Sequence, residues 1–361
     1  MSRHDEIRER CERFWNGESM RRPMVGALYN RMAPLRWFTE NLDVRRLAPE
    51  NLEAALYRGD MLRRFRAAET IGGDTGFVAY PFIGIPWLEA IFGCEVQAAG
   101  SSAWPEPLAA DWRSLGEDDL QWDNGWFGVL QDEVRIAIDL RDELEADENA
   151  VLPIGPCHLR GLGDFAAALA GQTDFCLALY DFPKEIKNLI ELGAGAWRRI
   201  VEAQFSLIPE DNCGGYWNGN QPLWCPGKSM LIPADVASLV SPEMFVEFFY
   251  KPLLRMIDGY DYSIMHTHST YIDNYPLDML MAIDELQAVQ VGIDTNGPDI
   301  ESIIPTIQKI AERRRVIVAG TLSADQIRRA MRKLPSTGIC FLTYLESIEE
   351  CREVLEELGI E

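Results

Sequence analysis

Short apolar, β-branched stretches alternate along the chain with longer segments of helical periodicity. The segments between the strands include predicted helices at Lys184–Phe205, Pro242–Ile257, Ile300–Glu312, Ala324–Leu334 and Ser347–Leu358. The apolar stretches predict eight strands, near Met24–Tyr29, Gly76–Tyr80, Val151–Ile154, Gly214–Trp217, Tyr262–His268, Leu286–Ile293, Arg315–Ala319 and Ile339–Leu342. Strands that alternate with helices indicate βαβ units, and eight such units predict an α/β fold of the closed (β/α)8 barrel type.

One stretch interrupts this alternation. Residues 101–124 contain Pro105, Pro107 and four acidic residues between Glu117 and Asp123. We expect a long insertion here, near residues 100–125, in a single barrel domain that spans residues 1–361 and begins with a helical extension. A second, smaller domain is the alternative interpretation.

The charge balance narrows the choice of partners. The chain has 361 residues, of which 34 are basic and 57 acidic, for a net charge of −23. Such a surface repels phosphate backbones and anionic membranes, so we expect neither nucleic acid nor membrane as a partner. No uncharged apolar run approaches 18 residues, which predicts no membrane-spanning helix.

The spacing of the cysteines and the first residues of the chain indicate the cellular compartment in which we expect the protein. Eight cysteines are scattered through the chain without a CxxC pair, and the charged start MSRHDEIRERCERFW lacks an apolar signal region. Both features predict a reduced, cytoplasmic protein. Neither GxGxxG nor P-loop spacing is present, so nothing in the sequence supports a nucleotide cofactor.

The most specific chemical signal is a pair of histidines in a predicted strand. His266 and His268 lie two residues apart in YSIMHTH, so both side chains share one face of the strand with Ile264. They stand at its carboxyl end, which in an α/β barrel opens into the active site. Two neutral imidazoles so placed can hold one zinc ion; alternatively, they bind or protonate a substrate without metal.

A third zinc ligand could come from the last strand. Cys340 lies in the predicted strand Ile339–Leu342, and two nitrogens, one sulfur and an open position would make a catalytic zinc site. The alternative is that Cys340 only fills the core, because free cysteine is among the most buried residue types.

A loop rich in glycine, aromatic and amide residues predicts a substrate pocket. It runs from Gly214 to Trp224, and Tyr216, Trp217 and Trp224 are its candidate walls. Asp235 follows this loop and could contact the substrate or orient a histidine. The alternatives are plain packing for the tryptophans and a turn cap for the aspartate.

Two further polar residues end predicted strands. Asp294 follows Leu286–Ile293 and is a candidate general acid or base at the barrel mouth. The run Asp-x-Asn-Gly is also ordinary turn chemistry. His158, after Val151–Ile154, is a weaker candidate.

Four stretches, in this order and spacing, resemble the uroporphyrinogen decarboxylase superfamily. They begin at Ile154, Ser241, Ile264 and Val316 and read IGPCHLRGLGDFAAALAGQTDFCLALYDFPKEIKNLI, SPEMFVEFFYKPLLRMI, IMHTH and VIVAGTLSADQIRRAM. The resemblance covers residues 150–361 well and the amino-terminal part poorly. It implies a single (β/α)8 barrel.

The superfamily contains two chemistries. The decarboxylases carry an arginine-rich amino-terminal motif that binds substrate carboxylates, and the corresponding stretch here, Arg22–Arg31, lacks it. The other branch consists of zinc-dependent methyltransferases that work with a corrinoid protein. Their zinc site is His-x-Cys plus a distant Cys; by resemblance His266 matches the His, His268 replaces the first Cys, and Cys340 falls where the second is expected.

Three functions follow as hypotheses. The first is a methyltransferase that uses zinc on His266, His268 and Cys340 to move a methyl group between a corrinoid (cobalamin) protein and a small thiol or similar acceptor. The second is a metal-free decarboxylase or lyase that acts on a small carboxylic acid. The third is a barrel that binds a small ligand and presents it to a partner protein.

Overall fold

The computed structural model describes residues 3–29, 46–82, 84–99, 102–148 and 150–360. The strands are β1 (Met24–Tyr29), β2 (Arg46–Leu47), β3 (Val96–Ala99), β4 (Ser102–Pro105), β5 (Tyr216–Trp217), β6 (Trp224–Cys225), β7 (Ser229–Pro233), β8 (Tyr262–His268), β9 (Leu286–Ile293), β10 (Arg315–Gly320) and β11 (Ile339–Leu345).

The α-helices lie between these strands. They are α1 (Arg3–Asn16), α2 (Ala54–Ile71), α3 (Trp87–Ile91), α4 (Trp126–Glu148), α5 (Leu162–Ala170), α6 (Gln172–Asp181), α7 (Pro183–Leu207), α8 (Pro242–Phe248), α9 (Tyr250–Ile257), α10 (Leu277–Leu280), α11 (Ile300–Ala311), α12 (Ala324–Met331) and α13 (Ile348–Glu357). None of these helices is long and apolar enough to cross a lipid bilayer.

Six parallel strands form one continuous sheet in the order β1-β11-β10-β9-β8-β7. An isolated parallel bridge joins Ala79 to Ile154. The segment before Ala79 lies directly beside β1, because a Cβ on Gly26 would come within 2.1 Å of the Thr75 side chain. The segment after Ile154 lies directly beside β7, because a Cβ on Gly161 would come within 2.6 Å of the carbonyl oxygen of Pro233. The two bridged segments therefore fill the gap between β1 and β7, and the predicted (β/α)8 barrel is confirmed.

One predicted barrel strand is wrong. Gly214–Trp217 does not join the barrel sheet; its last two residues form β5, which pairs antiparallel with β6 in a separate hairpin. The barrel strand is β7, whose five residues are all buried and whose partner is β8. The prediction missed β7 because its apolar run is too short to show a strand periodicity.

The insertion is confirmed as an excursion from the barrel. Strand β3 pairs antiparallel with β2 and β4, and two short 3₁₀ turns follow at Trp112–Ser114 and Glu117–Asp119. Ser101 lies outside the described residues.

Local sequence signals place the helix boundaries. Pro183 opens α7, where its missing N–H costs no hydrogen bond. The hydroxyl oxygens of Ser323 and Ser347 accept hydrogen bonds from the backbone N–H groups of Gln326 and Glu350, and so cap α12 and α13.

The barrel interior has its own apolar core, and α1 covers one end of it. Inward side chains of β7 to β11, such as Leu231 and Ile264, pack there with Phe14 and Trp15 of α1. The Trp15 indole N–H donates to the Trp224 carbonyl oxygen (2.7 Å). The amino end of the barrel is thus closed, and the carboxyl end remains for a site.

Candidate metal centre

Strand β8 carries two histidines inward at the carboxyl end of the barrel. Ile264 of the same strand is fully buried in the barrel-interior core, and the strand alternation turns His266 and His268 to the same side. Their Nε2 atoms lie 2.9 Å apart. The His266 side chain is 16% exposed and that of His268 29%, so both are accessible from the mouth.

A carboxylate from the neighbouring strand faces the histidine pair. Asp235 begins a 3₁₀ turn just after β7, and its Oδ1 lies 3.7 Å from the Nε2 atoms of both His266 and His268. The Tyr271 hydroxyl donates to the same oxygen (2.9 Å). Burial and the Asp235 charge raise the pKa of Tyr271 above its usual range, so it remains a donor.

The three ligand atoms fit a metal ion. Among the described residues, Asp235, His266 and His268 are the group of histidine, cysteine or acidic side chains compact enough to hold one. Ligand atoms of tetrahedral zinc at about 2.0–2.2 Å lie about 3.3–3.6 Å from one another. The observed separations of 2.9, 3.7 and 3.7 Å bracket that spacing and leave a point about 2 Å from all three atoms.

Hydrogen bonds fix the outer nitrogen of each ring. Nδ1 of His266 contacts Oε1 of Gln290 on β9, and Nδ1 of His268 lies 2.6 Å from Oδ1 of Asp294. Because an ionised carboxylate only accepts hydrogen bonds, Nδ1 of His268 is the donor, and Nε2 of the neutral ring presents a lone pair. Donation from Nδ1 of His266 to Gln290 likewise leaves a lone pair on Nε2 of His266. Two lone pairs 2.9 Å apart repel unless a metal ion or a proton lies between them.

The surroundings of Asp294 favour the ionised form of its carboxyl group. Partial burial would raise the pKa of its carboxyl group, but hydrogen bonds from His268 and Thr270 outweigh burial and lower it. The Thr270 hydroxyl donates at 2.8 Å and its backbone N–H at 3.2 Å. These contacts fit an anchor for His268 better than the general acid or base predicted from the sequence.

Close backbone approach and a third histidine complete the surroundings. A Cβ at Gly292 would lie 3.2 Å from Nδ1 of His268, so the strand needs a small residue beside the ring. The ring of His158 packs edge-on against that of His266, with centroids 6.1 Å apart.

Sequence reasoning missed Gln290 and Tyr271. A detectable signal for Gln290 was its place as a buried polar residue within the apolar strand β9. No signal in the sequence singled out Tyr271, because its contact with Asp235 joins residues 36 positions apart.

The structure corrects the expectation that Cys340 joins the histidines. Cys340 is the second residue of β11, and among the described residues the group whose ligand atoms converge on the histidines does not include it. It is fully buried in the core cluster that contains Cys11 and Phe14 of α1. Burial, with Cys11 nearby, raises the pKa of the thiol well above its usual range, so it stays protonated.

The aromatic residues of the loop pack against other parts of the fold. Trp217 is 1% exposed, and its ring packs against that of His4 with centroids 5.3 Å apart. The Trp224 indole N–H donates to the Gly214 carbonyl oxygen (3.1 Å), and the Tyr216 ring packs against Phe205 of α7. These three residues, predicted as pocket walls, pack around α1 and α7.

Comparison with known proteins gives a fold likeness only. No protein-family model and no curated protein matches the chain. A methyltransferase from Methanosarcina mazei matches in structure with a TM-score of 0.66 and 14% identity, covering 98% of each chain. The homocysteine methyltransferase MmuM from Escherichia coli, in its metallated form, gives 0.42 and 10% identity over 92% of this chain and 96% of that one. The first of these independently confirms the barrel fold.

Proposed function

We propose that the protein is a metal-dependent methyltransferase whose metal is held by Asp235, His266 and His268. The observation that carries this proposal is the convergence of Oδ1 and two Nε2 atoms at separations of 2.9–3.7 Å at the barrel mouth. The full-length fold likeness to a methyltransferase from Methanosarcina mazei supports the reaction class.

Zinc fits this donor set, because two imidazoles and one carboxylate can hold tetrahedral zinc and leave its fourth position open. When bound there, zinc supplies a Lewis acid that keeps a thiol ionised near neutral pH. The proposed reaction would move a methyl group from the cobalt of a separate corrinoid protein to the sulfur of a small thiol acceptor. The Co–C bond would break with both electrons left on cobalt, the S–C bond would form, and the thiol proton would pass to solvent.

The chain's own residues orient the site. Gln290 and Asp294 hold the two rings through Nδ1, so that both Nε2 atoms face Asp235. Tyr271 donates to Asp235 Oδ1 and fixes the direction of that carboxylate. In this proposal, Asp294, Gln290 and Tyr271 are positioning residues, while the two histidines and Asp235 touch the metal.

The convergence of a carboxylate with the two histidines favours a metal centre over a metal-free lyase. Without a cation, the pair is stable only if one imidazole gains a proton or if the Gln290 amide turns to donate to His266. The second change gives up the donation from His266 to Gln290, and the first keeps both ring contacts but adds a positive charge to the pair.

The test is metal content, measured by mass spectrometry on protein purified without a histidine tag. We expect about one zinc per chain in the parent and loss of zinc in His268→Ala and Asp235→Ala. Cys340→Ser is the matched control, because the thiol lies far from the mouth in the barrel core, and we expect it to keep its zinc. Circular dichroism establishes that each variant is folded.

Three results would count against the proposal. A metal-free parent after growth in zinc-supplemented medium removes the centre and returns the histidines to substrate binding or proton transfer. Loss of zinc in folded Cys340→Ser restores that thiol as a ligand. A zinc-loaded parent that transfers no methyl group from methylcobalamin to any of a panel of thiols overturns the reaction while leaving the metal site.

A further inference from the structure

A cavity lies at the opposite end of the barrel from the histidines. It has a volume of about 1180 Å³ and is bounded by α1, the turn after α2, the start of β1 and α13. Ligand pockets for small molecules typically measure about 300–1,000 Å³, so the space accommodates one.

Arginines concentrate in this cavity. Its lining includes six arginines and four acidic residues, a positive balance in a chain whose net charge is −23. The arginines are Arg3, Arg10, Arg13, Arg21, Arg22 and Arg352. A positive hollow on a strongly acidic protein focuses the local field on small anions.

One buried carboxylate organises the floor. Asp74 is 1% exposed; its Oδ1 and Oδ2 pair with the guanidinium groups of Arg10 and Arg22, and Oδ2 also accepts from the Val25 backbone N–H (2.9 Å). Two guanidinium groups share one carboxylate, so this part of the floor keeps an excess positive charge.

Two more arginines are available at the rim. Arg21 and Arg352 are exposed, and across the described ranges neither has an ion pair or a hydrogen bond from its side chain. Guanidinium groups match the planar, paired oxygens of phosphate and carboxylate groups through bidentate hydrogen bonds. Met20 and Met24 supply apolar wall beside them.

We propose that this arginine cavity binds a small molecule that carries at least two negative charges on phosphate or carboxylate groups. Arg21 and Arg352 contact the anion directly, and Arg10 and Arg22, held by Asp74, supply the positive floor. Phosphate and carboxylate groups share this chemistry, and the proposal does not depend on the metal centre.

The experiment is calorimetric titration of the intact protein with inorganic pyrophosphate, and separately with citrate, at physiological ionic strength. Exposed charges separated by more than about 8 Å are screened there, so a clustered site is needed for tight binding. We expect saturable binding with one site per chain, weakened at least about tenfold in Arg21→Ala/Arg352→Ala. Tighter binding of pyrophosphate than of citrate identifies a phosphate-type ligand, and the reverse identifies a carboxylate-type ligand.

Two control variants distinguish binding in the cavity from a general charge effect and from capture of the anion at the barrel mouth. Arg113→Ala/Arg135→Ala removes the same charge from arginines that pair with Asp111 and Asp132, and we expect it to bind as the parent does. His268→Ala is expected to bind normally, which excludes capture by a metal at the mouth. Absence of saturable binding, equal weakening in the control pair, or loss of binding in His268→Ala would overturn the proposal.

Discussion

Asp294→Asn tests whether the carboxylate behind His268 tunes the proposed metal centre. The substitution keeps the size of the side chain and one carbonyl oxygen, but it removes the negative charge. In the parent, Asp294 accepts from Nδ1 of His268 at 2.6 Å and from the Thr270 hydroxyl at 2.8 Å. An asparagine carbonyl oxygen can keep the histidine contact, and its amide nitrogen then faces the threonine donors.

The magnitude follows from these contacts. A charge-assisted hydrogen bond is roughly twice as strong as a neutral one, and the 2.6 Å separation lies at its short end. Loss of a residue that orients a metal-binding histidine typically lowers metal affinity about 10–100-fold, which corresponds to about 1.4–2.7 kcal/mol. We expect Asp294→Asn to fall in this range while its fold stays intact.

The assay is competition for zinc against a chelator of known affinity, monitored by the chelator's absorbance. Asp132→Asn is the matched control, since that aspartate pairs with Arg135 on an exposed helix surface. Zinc affinity within about twofold of the parent would refute the reasoning, because it would mean that His268 does not depend on Asp294 or does not bind the metal.

Three other predictions concern stability and thiol reactivity. Gly163→Ala places a Cβ 2.0 Å from a valine carbon and should destabilise the protein by about 1–3 kcal/mol in urea denaturation. Gly195→Ala meets open space in α7 and should stabilise the protein by about 0.5–1 kcal/mol. Equal effects of the two substitutions would contradict the difference in packing around the two glycines. Burial raises the pKa of Glu133 well above its usual range, so the contribution of this residue to stability is present below about pH 4.3 and is lost as the pH rises. The Glu133→Gln variant should therefore gain stability relative to the parent at alkaline pH. A stability difference that does not change with pH would disprove this. Iodoacetamide mapping should label the half-buried Cys176 before the buried cysteines and leave Cys340 unlabelled even after chelator treatment. Labelling of Cys340 that appears only after chelator treatment would show that metal, not burial, protects that thiol.

The sequence predicts the barrel and the histidine pair because both depend on short-range regularities. Strand alternation has a period of two, so His266 and His268 share a face wherever the strand lies, and their position at the strand end determines which end of the barrel they occupy.

The same reasoning failed for Cys340 because the face of a strand residue says nothing about its depth along the barrel. The true end of β11 lies at Leu345, three residues beyond the predicted one. The prediction that the two tryptophans line a pocket was unsuccessful for a different reason. Trp217 and Trp224 contact residues of α1 more than 200 positions away in the sequence, and no local pattern encodes that packing.

The pairing of β1 with β11 has a consequence for how the chain folds. Met24 is in register with Cys340, so the barrel wall cannot close until Ile339–Leu345 has been synthesised, more than 300 residues after β1. Contacts of such long sequence separation are slow to form, and until then β1 and β10 each lack a neighbour and expose a strand edge. The excess of acidic residues then acts during synthesis as well, because like charges keep unfinished chains apart.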